Sequence, residues 1–174
     1  MPKRKIIYTI GHSNRTLSYF LDLLETYQIE TLIDVRTIPR SRHNPQFNLD
    51  ILPSFLKEKQ IAYIPFGKKL GGLRRVKKDS VNIGWHNASF RGFADYMQTQ
   101  DFKEGLAELM EIAKESRCVL MCAEALPWRC HRSLISDALT LKKWQVFHIQ
   151  SKKTAKLHEL TPFLHVIGRK VIYC

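Results

Sequence analysis

The chain is 174 residues long, carries 28 Lys and Arg against 16 Asp and Glu, and has 44% hydrophobic residues. That length suits one domain with a substantial core, and no apolar run approaches the roughly 20 residues of a membrane-spanning helix, which excludes a helical membrane protein. A formal charge of +12 favours an anionic partner, nucleic acid being the commonest.

The basic and apolar onset begins like a signal peptide, but His12 and Asn14 interrupt it and no small-residue cleavage site follows, so a cytoplasmic location is expected. Residues 6–10 read as a short strand ending in Gly11-His12-Ser13. Thr16 or Ser18 then caps a helix whose Leu17, Phe20, Leu21 and Leu24 recur at helical spacing. Residues 31–35 are a second apolar strand, ending in Asp34-Val35-Arg36, and Pro39, Asn44 and Pro45 mark a long polar loop. The pattern predicts a helix over 49–59 with Pro53 in its first turn, and a strand over 61–66. From 67 to 90 there is no helical or strand period, only Gly71-Gly72, basic residues and Trp85-His86-Asn87; irregular stretches of this length inside a domain are functional or disordered. Its basic part, residues 67–78, is expected to guide an anion and to close as a lid.

Residues 90–114 read as one helix or two, with Phe93, Met97, Phe102, Leu106, Leu109 and Met110 inward. A fully apolar strand follows over 118–122, then a short loop around Pro127-Trp128, a helix over 132–143 and a fifth strand over 145–149. The tail, 164–173, is expected to form a hairpin around Gly168-Arg169. Strands alternating with helices specify an α/β fold: a single three-layer domain over 1–174, with a mostly parallel sheet and helices on both faces.

In such a sheet all the strand C-termini lie along one edge, and the polar clusters fall at those positions. One crevice is therefore expected, lined by His12, Ser13, Asp34, Arg36, Glu124, Cys130, His131 and Arg132. Plainer readings exist: His12 as a turn residue, and Asp34 with Arg36 as a structural ion pair. His43, His86, His148, His158 and His165 read as surface or core residues. At the start of the last helix, free N–H groups and the macrodipole favour anions, Arg132 adds a bidentate donor, and the same field lowers the pKa of the Cys130 thiol. Glu124 with His12 or His131 supplies an acid-base pair.

Of the four cysteines, Cys118 reads as inert core and Cys174 carries little information, and none is expected in a disulfide. Cys122, Cys130 and His131, with His12 or Glu124, would suit zinc, but there is no C-x-x-C pair and adjacent Cys130 and His131 tend to point apart. The cysteine-to-arginine spacing of a phosphate-binding loop is missed by one residue, at Arg129. Ile33-Asp34-Val35-Arg36 is similar to the strand that opens rhodanese-type domains, although the 122–132 loop lacks the glycine such a loop would use.

The motifs Thr9-Ile10-Gly11-His12-Ser13, Ile33-Asp34-Val35-Arg36 with Pro39 and Ser41, Leu70-Gly71-Gly72, and Cys122-Ala123-Glu124 with Pro127 and Cys130-His131-Arg132 occur in that order. Phe90-Arg91-Gly92-Phe93 opens an aromatic-rich helix between them. On these motifs the chain resembles, over residues 5–149, the domain-of-unknown-function family numbered 488. The resemblance implies an α/β fold and a shared polar site, to which Ser41, Gly71 and Gly72 belong, and brings no established reaction.

The leading expectation is an enzyme, a hydrolase or transferase, acting on a phosphate-bearing substrate that is a nucleotide or nucleic acid. Ser13, Arg36, Ser41, Gly71, Gly72 and Arg132 would bind the anion. Glu124, His12 and His131 would handle protons, Asp34 would orient Arg36 or His12, and Cys130 is the candidate nucleophile. The alternatives are a non-catalytic nucleic-acid-binding module and a zinc-dependent hydrolase. No motif specifies a cofactor.

Overall fold

Short apolar runs separated by amphipathic helices bury themselves best as a sheet covered on both faces. The computed structural model, which describes residues 5–174, has this arrangement; the basic onset at 1–4 lies outside the described residues. Six strands form one sheet: β1 (Ile6–Gly11), β2 (Thr31–Asp34), β3 (Ala62–Pro65), β4 (Cys118–Cys122), β5 (Gln145–Ile149) and β6 (Ala155–Leu157), in the order β3-β2-β4-β1-β5-β6. The first five in that row are mutually parallel and β6 is antiparallel to β5. The tail forms the expected hairpin, β7 (Leu164–Ile167) with β8 (Lys170–Tyr173).

Alternation along the buried strands assigns each side chain to a face. Tyr8, Ile10, Leu32, Val119 and Met121 pack against helices α1 (Leu17–Thr26) and α2 (Leu52–Glu58). Ile7, Ile33, Cys118, Leu120, Cys122 and Val146 pack on the other side, with α4 (Ala88–Tyr96), α5 (Gln100–Glu115) and α6 (Arg132–Leu141). Thr16 caps α1, its hydroxyl accepting the Tyr19 N–H at 3.1 Å. Pro53 sits in the first turn of α2, where its missing N–H costs nothing.

Two short elements differ from the sequence expectation. Gly67–Leu70 is a single helical turn, α3, and β6 is three residues long; both are too short to show a period. The irregular stretch after α3 is also tied down. The buried Asp95 carboxylate accepts from Lys77 N, Ser80 Oγ and Asn82 Nδ2, and the Arg74 guanidinium lies over the Tyr96 ring at 3.7 Å. The expected lid is thus anchored at Arg74 and from Lys77 to Asn82.

The chain leaves β1 through α1 toward β2, and leaves β4 through α6 toward β5, in the opposite direction and on the opposite face. Connections that part in this way open a crevice at the strand C-termini between them. Here it lies over β1 and β4.

Candidate functional site

The end of β4 is held from both sides. Gly11 is in register with Cys122 and Asp34 with Met121, so three strands finish level with β4 in the middle. Beyond the ladder, His12 N donates to Cys122 O, Ser13 N to Ala123 O and Val35 N to Met121 O, at 2.9 to 3.0 Å. Gly11 is required by this closeness: a Cβ there would stand 1.8 Å from the Glu124 carbonyl oxygen.

Because Cys122 faces the α6 side, its thiol lies under the start of that helix. Cys130, one residue short of the helix cap, is extended (φ −139°, ψ 149°), while His131 already has helical angles (φ −60°, ψ −11°). That turn folds Cys130 back over β4, and the two Sγ atoms stand 2.7 Å apart, unbonded. It also brings His131 Nδ1 to 3.6 Å from Cys130 Sγ, correcting the expectation that these neighbours point apart. The other ring nitrogen, Nε2, donates to Val35 O at 2.9 Å, which aims Nδ1 at the sulfur. The Arg132 N–H, first of α6, donates to the same sulfur at 3.4 Å.

Burial opposes ionisation of Cys130, but the Cys122 S–H, His131 and the Arg132 guanidinium together overcome it and hold this thiol well below its ordinary pKa. Burial, joined by the neighbouring sulfur, pushes Cys122 well above. Of the two thiols, Cys130 is the one the site shifts toward ionisation.

Arg132 is 1% exposed, and its side chain turns inward instead of into the crevice. Nη1 donates to Thr9 Oγ1 at 3.1 Å and Nη2 to Glu124 O at 2.5 Å, so it clamps the 124–125 backbone, and Nε is buried with no partner. Behind it a hydrogen-bonded chain runs from Thr9 through His148 and His158 to Asp137, over 2.6, 2.9 and 2.7 Å.

The third wall is Arg36. Asp34 takes its Nε and Nη2 in a fork at 2.9 and 2.7 Å, Phe47 O accepts a second Nη2 bond, and Tyr63 donates to the same carboxylate. Nη1 meets His12 Nε2 at 3.3 Å, while His12 Nδ1 donates to Ser13 O and the ring stacks on Phe47. Burial, with Arg36 beside it, lowers the His12 pKa to about 4, so its imidazole is neutral and its free lone pair is engaged by Arg36. Burial and the Asp34 bond raise the Tyr63 hydroxyl pKa.

An open cavity of about 390 Å³ lies over this edge, within the range of small-molecule sites. Of the expected residues it is lined by His12, Arg36, Ser41, Gly72, Glu124, Cys130 and His131. Ser13, Asp34, Gly71 and Arg132 do not reach it: Asp34 and Arg132 are buried supports, Ser13 turns the backbone at φ 49°, and Gly71 packs on Gly67 and Thr37. Gly72 gives room to His131, whose Nδ1 would lie 2.8 Å from a Cβ there. Ser41 Oγ accepts the N–H groups of His43 and Asn44 and shapes the rim. Glu124 is half-buried, and among the described residues its carboxylate makes one hydrogen bond, from Leu126 N at 3.2 Å, leaving an oxygen for the cavity.

Sequence reasoning gave no site role to Arg40, Arg129, Thr9 and Tyr63, and it weighed Cys122 only as a zinc ligand. Arg40 and Arg129 are exposed cations on the cavity wall. Thr9, the polar residue at an inward position of β1, was the readable signal for the Arg132 clamp. Among the described residues no three His, Cys, Asp or Glu side chains form a group able to hold a metal ion. Sulfurs 2.7 Å apart are also too close to share a tetrahedral zinc at about 2.3 Å each, so the zinc-hydrolase alternative has no ligand set at this crevice. No helix among the described residues is long and apolar enough to cross a membrane.

Fold and crevice together define a class: an α/β domain whose parallel strand ends carry a thiol–imidazole–carboxylate cluster. Residues 16–139 match the model of the family described as domain of unknown function DUF488, and the chain belongs to that family. No curated protein and no solved structure matches the chain.

Proposed function

We propose that the protein is an enzyme that transfers or hydrolyses a group on a phosphate-bearing substrate, a nucleotide or nucleic acid, with Cys130 as nucleophile. The observation that carries this reading is the position of Cys130 Sγ: at the start of α6, bonded by the Arg132 N–H, 3.6 Å from His131 Nδ1, and on the wall of the cavity that holds Glu124. A nucleophile beside a base that is itself oriented by a third group is the general arrangement for covalent catalysis. His131 takes up the thiol proton while Val35 O fixes the ring. Glu124 carries protons to or from the leaving group through its free oxygen. Arg40, Arg129 and the last N–H of Arg36 attract the anion, and Asp34, Tyr63 and His12 hold Arg36 in place.

Turnover measured across nucleoside mono-, di- and triphosphates and short oligonucleotides tests this. Cys130→Ser and Glu124→Gln should each lower the rate by about 10²-fold or more while leaving the melting temperature within about 4 °C. Absence of turnover by the wild-type chain on every member of that panel refutes the proposal. The second reading, a non-catalytic nucleic-acid-binding module, draws on the exposed cations Arg42, Arg75, Lys77 and Lys78. It requires strongly salt-dependent binding that survives both substitutions.

A further inference from the structure

We infer that Cys122 and Cys130 form a reversible dithiol–disulfide centre, oxidised by a hydroperoxide that enters the cavity and reset by a small thiol. It goes beyond the transfer reaction proposed above and does not depend on it, because it concerns the covalent state of two sulfurs.

Three observations bring it out. The Sγ atoms are 2.7 Å apart, so closing to a bond of about 2.05 Å needs a relative shift of only about 0.7 Å. That is a side-chain movement, and no strand or helix has to move. Both residues line the open cavity, so an oxidant as small as hydrogen peroxide reaches Cys130 without unfolding. The two sulfurs also differ in role, one set up to attack and the other to resolve. Cys130 accepts the Arg132 N–H and faces His131 Nδ1, whereas the Cys122 thiol's remaining contact is the Glu124 carbonyl at 3.7 Å.

The chemistry balances with the peroxide as the one oxidant. The Cys130 thiolate attacks the distal peroxide oxygen, the O–O bond breaks, and hydroxide leaves with the electron pair, taking up a proton to become water. Cys130 is then a sulfenic acid. Cys122 sulfur attacks it, the S–O bond breaks, the S–S bond forms, and a second water leaves with the Cys122 proton. Two thiols have lost two electrons and the peroxide has gained them. Exchange with an external thiol, first at one sulfur and then through a mixed disulfide, restores both.

The surroundings favour return to the reduced state. The buried Arg132 guanidinium has no carboxylate partner among the described residues, its Nε is unpaired, and both sulfurs stabilise its charge. A thiolate answers that cation and a disulfide does not. Stabilising the thiolate of the reduced form makes the disulfide a good oxidant, so this pair cycles and does not act as a permanent staple. The remaining cysteines do not compete: Cys118 is buried two residue pairs back along the same strand face, bonded to Ser116, and Cys174 is exposed in the tail.

The test treats the wild-type chain with increasing hydrogen peroxide, alkylates it under denaturing conditions and maps the peptides. The expected product is a 122–130 linked peptide formed at low peroxide excess, with Cys118 and Cys174 still alkylated, and lost again after incubation with glutathione. Cys122→Ser should stop the reaction at the sulfenic acid, trapped on Cys130 by dimedone, and Cys122→Ala should do the same. Alkylation of both Cys122 and Cys130 after peroxide overturns the inference. So does direct passage of wild-type Cys130 to the sulfinic acid, or a disulfide that joins either sulfur to Cys174.

Discussion

Acidification should unfold this protein by protonating two histidines that the fold holds neutral. Burial, with His158 and Arg132 beside it, lowers the His148 pKa to about 3, and burial with Arg36 lowers His12 to about 4. In the unfolded chain each reverts to about 6.5. The folded values are the lower ones, so the unfolded state takes up the protons first. The stabilisation is complete above about pH 6.5 and is lost as pH falls toward 4 for His12 and 3 for His148. At pH 5 an unfolded histidine is favoured by roughly 30-fold in proton uptake, about 2 kcal/mol each and about 4 kcal/mol for the pair. That is a large share of a typical domain's stability.

Urea denaturation at pH 8, 7, 6 and 5 reads this directly: with a slope of about 2 kcal/mol per M, the midpoint should fall by about 2 M. His148→Gln, which can accept from Thr9 and donate to His158, should remove about half of the pH dependence, and His12→Gln the other half. A wild-type stability that is flat from pH 8 to 5, or a His148→Gln chain that keeps the full slope, refutes the reasoning.

Two further substitutions test how the site is built. Gly11→Ala puts a Cβ 1.8 Å from Glu124 O, forcing the 124–125 loop outward by about 1.5 Å; about 1–3 kcal/mol of stability should go with it, and chemical denaturation should find the loss with the sheet's circular dichroism unchanged. Asp34→Asn leaves the buried Arg36 charge without its carboxylate and should cost about 3–5 kcal/mol. Tyr63→Phe removes one hydrogen bond to that carboxylate and should cost only about 1 kcal/mol by the same denaturation measurement; equal losses in the two would contradict the assignment of Asp34 as Arg36's counter-charge.

What could be read from the sequence followed from periodicity. The apolar run at 118–122 coincides with β4 because a fully buried parallel strand carries continuous hydrophobic sequence, and the 145–149 strand coincides with β5. Their shared direction then placed His12, Arg36 and Glu124 at one edge before any contact was known. Periodicity says nothing about where a long side chain turns at that edge. Arg132 looked like an anion receptor because it opens a helix, yet one polar residue on β1, Thr9, and two free carbonyls draw its guanidinium into the core. Asp34 and Arg36 are two apart on one strand face and so could pair, and they do; the demand for a counter-charge in a buried place outweighs a ligand's claim on Arg36. Cys122 was readable as a candidate ligand but not as a partner for Cys130. It reads as the last apolar residue of a strand, and only the tight turn from Cys130 into α6 gives it a partner.

The buried network behind the crevice bears on why the Cys130 thiol is shifted toward ionisation and the Cys122 thiol away from it. Arg132 donates to Thr9, the contacts continue through His148 and His158, and the Asp137 carboxylate accepts from His158, with Tyr173 and Thr161 completing its shell. The chain separates a guanidinium at one end from a carboxylate at the other by two rings and a hydroxyl, too far for Asp137 to neutralise Arg132 directly. A buried cation left in that condition is costly, and the nearest groups that can supply the missing charge are the two sulfurs. Cys122 is the more enclosed of the two, while Cys130 has the α6 N–H and His131 on its surface. Of the two thiols Cys130 is the one shifted toward ionisation, on the side open to the cavity. Arg132, a cation the fold leaves without a carboxylate partner among the described residues, thus joins Cys122 and His131 in lowering the Cys130 pKa.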